Sequence, residues 1–146
     1  MLKLHFPEGE YWDEIAERFV KSPAVDLEFE HSLFSLSKWE SIFEKPFDSE
    51  VEKTPAENVA YIECMLLTED PPENWQHWLT TRHQEELATY RSRKHTGTTF
   101  PNQVKPTNKT EIITSEVVYY GMVAHRIPFE AQFWNFKRLL TLIEVC

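Results

Sequence analysis

The sequence predicts an α+β domain, mainly α, with about five helices, an N-terminal two-stranded β element and a C-terminal helical hairpin bent at Pro128. Three observations carry this. Two short segments near the N-terminus alternate apolar and polar residues with the period of a half-buried strand. The middle of the chain holds several helix-start signals. The last stretch, residues 110–146, reads as two apolar-striped helices joined by an Arg126-Ile127-Pro128 elbow.

Leu2, Leu4 and Phe6 alternate with Lys3 and His5, and Val25, Leu27 and Phe29 alternate with Asp26, Glu28 and Glu30. The two strands are expected to pair antiparallel. An isolated pair is marginal in water and must lean on helices or another subunit. Its exposed edge could accept a partner strand, which makes Leu27 and Phe29 candidate partner-binding residues. Pro7-Glu8-Gly9-Glu10 is turn chemistry. Residues 11–20 are ambiguous: Tyr11, Ile15 and Phe19 have helical spacing, yet the segment could equally begin a hairpin.

Ser37-Lys38-Trp39-Glu40 fits a capping box, with Trp39, Ile42 and Phe43 as a buried face and Pro46 as the stop. Thr54-Pro55-Ala56-Glu57 supplies a cap, a first-turn proline and a third-position glutamate, and predicts a helix buried along Val59, Ile62 and Leu66. After Pro71-Pro72 a longer helix is expected, roughly from Glu73 to Ser92, with Trp75, Trp78, Leu79, Leu87 and Tyr90 inward. Arg91, Arg93, Lys94 and His95 complement its C-terminal dipole. Residues 95–109 are rich in Gly, Pro and small polar residues and read as a long loop.

In the C-terminal pair, Asn108, Thr107 and Thr110 compete as caps. Ile113, Val117, Tyr120 and Ala124 fall on one face, with Gly121 beside them. Pro128 disfavours helix at Ile127 and suits the first turn of the next helix. There Phe129, Phe133, Phe136, Leu140 and Ile143 form the expected buried stripe, widened by Leu139 and Leu142. Trp134 falls on the polar side, near Glu130 and Arg138, either covered by its own chain or offered to a partner.

The 146 residues read as one domain: a β element over 1–30, a helical middle over 31–92, a loop over 93–109 and the helix pair over 110–146. The hydrophobic fraction of 41% and aromatic fraction of 14% exceed what a disordered chain carries. No apolar run is long enough to span a membrane, and the first residues lack a signal peptide's apolar core, so a cytoplasmic location is expected. The net charge of −9 argues against a nucleic-acid surface and is compatible with a basic protein partner. Cys64 and Cys146 read as reduced, with Cys64 in the core.

No metal, cofactor or catalytic motif emerges. The six histidines include no helical i, i+4 pair, and three glycines do not build a phosphate loop. No nucleophile elbow is present, and no cofactor or enzymatic activity is expected.

Four stretches carry a family resemblance: LEFEHSLFSLSKWESIFEKPF at 27–47, EKTPAENVAYIECM at 52–65, KHTGTTF at 94–100 and EIITSEVVYYGMVAHRIPFEAQFWNFKRLLTLIEVC at 111–146. Together they resemble an uncharacterised tail-morphogenesis family of long-tailed bacteriophages, best classed with tail assembly chaperones. Gly121 stands where that family usually has a bulky aromatic, and Glu144 where it has a basic residue. The resemblance implies binding without chemistry. The expected clients are the tape-measure protein and tail-tube subunits, met in the host cytoplasm during assembly. A virion component of the neck, tail tip or baseplate is the alternative. The chaperone reading calls for exposed apolar contacts rimmed with charge, and more than one copy. Its candidate surfaces are Trp134, Lys137 and Arg138 on the outer side of the last helix, and the strand edge at Leu27 and Phe29. Ordinary core or solvent duty is the competing account of each.

Overall fold

A computed structural model describes residues 1–49, 51–100 and 112–146. The fold is α+β and mainly α, with five α-helices among the described residues. The chain, read as one domain from its sequence, forms two compact units, each discontinuous: Met1–Phe29 with Leu66–Arg93, and Glu30–Met65 with Lys94–Cys146.

In the first unit, β1 (Leu2–Phe6) pairs antiparallel with β4 (Val25–Phe29), Leu4 opposite Leu27 and Leu2 opposite Phe29. The alternation works as the sequence requires: Leu4, Phe6, Leu27 and Phe29 are buried on one face. The ambiguous segment between them is a second hairpin, β2 (Gly9–Asp13) against β3 (Arg18–Ser22). Asp13 closes its tip by accepting from the Ile15 and Ala16 amides. Gly9 is required by packing, since a Cβ there would fall 2.4 Å from the Trp78 ring.

The single helix expected from Glu73 to Ser92 is two elements. Trp75–Trp78 is a 3-10 turn, entered through Asn74 at φ 57°, and α3 (Thr81–Ser92) starts afresh. Thr80 and His83 form a capping box, the imidazole of His83 standing where a Glu or Gln commonly does. His83 Nε2 also donates to the carbonyl of His5 at 2.9 Å, and its ring lies 4.4 Å from Phe6. Trp75, Leu87 and Tyr90 complete this core.

In the second unit, α1 (Leu33–Phe43) begins four residues before the Ser37 box expected from the sequence. Ser32 caps it and Ser35 reciprocates, because Leu33, Leu36 and Trp39 are the residues that bury. Ile42, expected inside, is exposed. Helix α2 (Pro55–Met65) starts where the Thr54-Pro55 signal placed it, but buries Tyr61, Ile62, Cys64 and Met65. Trp39, Phe47 and Tyr61 stack through ring contacts of 5.2 and 4.2 Å, and Trp39 Nε1 donates to the Glu57 carbonyl.

The C-terminal segment departs most from expectation. Helix α4 (Ser115–Ala124) turns Ser115, Val118 and Met122 inward, and leaves Ile113, Val117, Tyr120 and Ala124 exposed. The Asn108, Thr107 and Thr110 caps lie outside the described residues; the observed cap is Thr114. The second rod is broken. Phe129–Phe133 is a 3-10 turn, and α5 (Phe136–Val145) follows with Asn135 as its cap. The core here is Leu33, Val118, Met122, Ala131 and Leu139, with Phe136, Leu140 and Ile143 half-buried around it. Phe129 and Phe133, expected in the stripe, are exposed. Gly121 faces Ile143, whose Cγ2 lies 3.4 Å from where a Cβ would sit, an ordinary contact distance that an alanine could fill.

Candidate functional site

Two features of the second unit could carry a function: a buried polar network and an exposed aromatic surface.

The network begins at the end of the segment entering α1. Glu30 Oε1 accepts from the His31 amide at 3.0 Å and from Asn135 Nδ2 at 3.1 Å. The Glu30 carbonyl accepts from the Ser35 hydroxyl, and His31 Nδ1 meets the Tyr61 hydroxyl. The Phe136 amide donates to the His31 carbonyl at 2.7 Å, beside a bridge between Ser32 and Asn135. Glu30, His31, Ser32, Ser35 and Asn135 are all buried. These bonds pin the start of α5 to the start of α1 and satisfy groups that would otherwise be costly to bury. One cleft of about 490 Å³ lies away from these residues, beside Leu2, Arg82 and Tyr90 in the first unit. Chemically the network is a fastening. Among the described residues no group of three or more His, Cys, Asp or Glu could hold a metal ion.

The surface is built on the 3-10 turn before α5. Phe133 is 52% exposed and Trp134 44%. Phe133 stacks on exposed Phe34 of α1 at 5.1 Å. Lys38 stands 4.9 Å above the Phe34 ring, and the Arg138 guanidinium 5.4 Å from the Trp134 ring. Each cation lies within reach of a ring quadrupole, which holds both side chains against the aromatic face. The result is two small aromatic clusters, Phe34 with Phe133 and Trp134 alone, each with a cation against it, in a chain whose net charge is −9. Phe129 is also exposed and lies 6.3 Å from the ring of Tyr119, whose hydroxyl donates to Gln132 at 2.7 Å; burial pushes that phenol up from its ordinary pKa.

Of the residues singled out by sequence, Trp134 and Arg138 come together here. Lys137 is half-buried, its amide donating to the Asn135 side chain. Leu27 and Phe29 belong to the first unit. Both are fully buried, and the β4 edge beside them is taken: Leu67 donates to the Glu28 carbonyl, and the Thr68 hydroxyl accepts from the Glu28 amide. That edge has no room for a partner strand at Glu28. Phe34, Lys38 and Phe133 were missed as surface residues because their spacing marks them as core or as ordinary solvated charge.

The first unit has its own exposed apolar feature. At the β2–β3 tip Ile15 is 98% exposed, and Trp12 packs edge-on to Phe19 at 5.0 Å on the open face of the hairpin.

Comparison of the chain with protein-family models, with curated proteins and with solved structures finds no match.

Proposed function

We propose that the chain is a non-enzymatic factor of phage tail morphogenesis, a tail assembly chaperone that binds the tape-measure protein, the tail-tube subunit or both. The observation that carries this is the pairing of exposed rings with cations in the second unit: Phe34 and Phe133 with Lys38, and Trp134 with Arg138. Large apolar side chains clustered at a surface mark sites of protein association more often than they mark anything else. Aromatic and Arg side chains are also the residues that dominate binding energy at such sites. The fitting client is an apolar segment with acidic flanks. The phage client follows from the resemblance of residues 27–47, 52–65, 94–100 and 111–146 to the tail-morphogenesis family. Its action belongs to the host cytoplasm during assembly. No nucleic-acid or membrane role is part of the reading; among the described residues no helix is long and apolar enough to cross a membrane.

The test is co-expression of the intact chain with the tape-measure and tail-tube proteins of the phage that carries it. The intact chain should co-purify with at least one of them. Trp134→Ala and Phe133→Asp should lose it while keeping their far-UV circular dichroism. Failure of the intact chain to hold either client sinks the reading. Abundant chain in purified particles would favour a structural component of the neck, tail tip or baseplate.

A further inference from the structure

Helix α4 has an amphipathic stripe that its own unit does not use. Val117, Tyr120 and Ala124 recur on one face at steps of three and four, continued by Ile113 just before the cap and flanked by Val123. All are exposed, Tyr120 by 74%. The opposite face, Ser115, Val118 and Met122, already packs inside, so the stripe is a second apolar face and not a misplaced first one. The helix is also polarised in charge. Glu116 sits in its first turn, and Arg126 lies two residues past its end, beside the C-cap His125.

We propose that this face is a homodimer contact, in which the α4 helices of two copies pack antiparallel about a two-fold axis near Tyr120. The second copy is the occupant that the charge pattern selects. In an antiparallel pair Val117 comes opposite Ala124 of the second copy. Glu116 then comes beside His125 and Arg126 of that copy, and the same pairing repeats across the axis. Opposed helix dipoles add to the match, while a parallel pair would set Glu116 against Glu116. Tyr120 at the axis offers a large, stiff contact in each direction. One helix face is smaller than the roughly 800 Å² that each partner gives a standard interface, so the dimer is expected to be weak and concentration-dependent. The contact does not depend on the identity of the client.

Sedimentation velocity of the full chain over a concentration series tests it. A monomer–dimer equilibrium is expected with a dissociation constant on the order of tens of micromolar, weakening as salt is raised. Glu116→Arg and Arg126→Glu lie at exposed positions and should fold. Each alone sets like charges together twice per dimer and should weaken association about tenfold or more. An equimolar mixture of the two variants restores opposite charges at both contacts, and should recover association to within about threefold of the original. Tyr120→Asp should abolish it. A chain that stays monomeric up to millimolar concentration overturns the proposal. So does a dimer indifferent to the single reversals, or one that the mixture does not rescue; either result would assign the pairing to another face.

Discussion

Glu40 of α1 caps the start of α4. Its Oε2 accepts from the Ser115 amide at 2.9 Å and from the Ser115 hydroxyl at 2.5 Å, while Oε1 accepts from the Phe47 amide at 3.1 Å. The local cap residue Thr114 makes no side-chain bond of its own. A carboxylate 75 positions away therefore does what a Ser or Asp at the cap normally does, and brings negative charge to the helix's positive end. Glu40→Ala strands two amides and a hydroxyl on the buried residues Ser115 and Phe47. It is expected to cost about 2–3 kcal/mol in urea unfolding, against less for Glu40→Gln, which keeps one acceptor oxygen.

Leu139 and Phe133 separate the two accounts of the last segment. Leu139 is fully buried among Leu33, Val118, Met122 and Ala131, whereas Phe133 is half-exposed. Leu139→Ala is expected to cost about 3 kcal/mol, within the range for a truncated core leucine, and Leu139→Asp to prevent folding. Phe133→Asp should fold, with thermal stability lowered by no more than about 1 kcal/mol from the lost ring contact with Phe34. A Phe133→Asp chain recovered only as aggregate would return that ring to the core.

The cysteines should react at separate rates. Cys64 is buried and burial pushes its thiol above the ordinary pKa; Cys146 is exposed. With an aromatic disulfide reagent, one equivalent is expected within seconds. The second should follow about a hundredfold more slowly, and become fast only in denaturant. Cys64→Ser should remove the slow phase alone.

Lys45 lies 2.8 Å from Glu57, and its hydrogen bond to that carboxylate holds Glu57 below its usual pKa. A carboxylate depressed in the folded state adds stability above its unfolded pKa, and that contribution disappears as pH falls through the folded value. The stability difference between the intact chain and Lys45→Met is therefore expected to be greatest near neutrality and to shrink on acidification. Equilibrium unfolding across a pH series reads it. A constant difference across the acid range would assign the loss to the Lys45 ammonium over the Trp39 ring, 5.9 Å from its centroid.

What the sequence disclosed follows how local each signal is. The β1–β4 pair was readable because a period of two names the buried side directly, and α2 because Thr54-Pro55 names its own start. The facing of α4 was not readable. Val117 and Tyr120 on one side, and Val118 and Met122 on the other, both satisfy helical spacing, and the choice is made by Glu40 gripping Ser115 from far along the chain. The break before α5 has the same origin: the Phe136 amide is taken by the His31 carbonyl, and Asn135 by Glu30. At the candidate surface, Trp134 and Arg138 were legible because four residues separate them, and they meet even though no continuous helix joins them. Phe34 and Lys38 could not be attached to Phe133, since nothing in the spacing relates positions a hundred residues apart. The closed β4 edge was hidden for the same reason: Leu67 and Thr68, which occupy it, come from a distant stretch.

The interleaving of the two units has a consequence for biosynthesis. The first unit needs residues up to Arg93, and the second needs both α1 and α5, so neither can be finished in the order in which it is translated. Leu4 and Phe6 leave the ribosome long before Trp75 and Leu87 exist to cover them. Leu33 waits longer still for Leu139. The nascent polypeptide thus carries these apolar residues uncovered until the later segments of each unit have been translated, an interval in which it is open to aggregation.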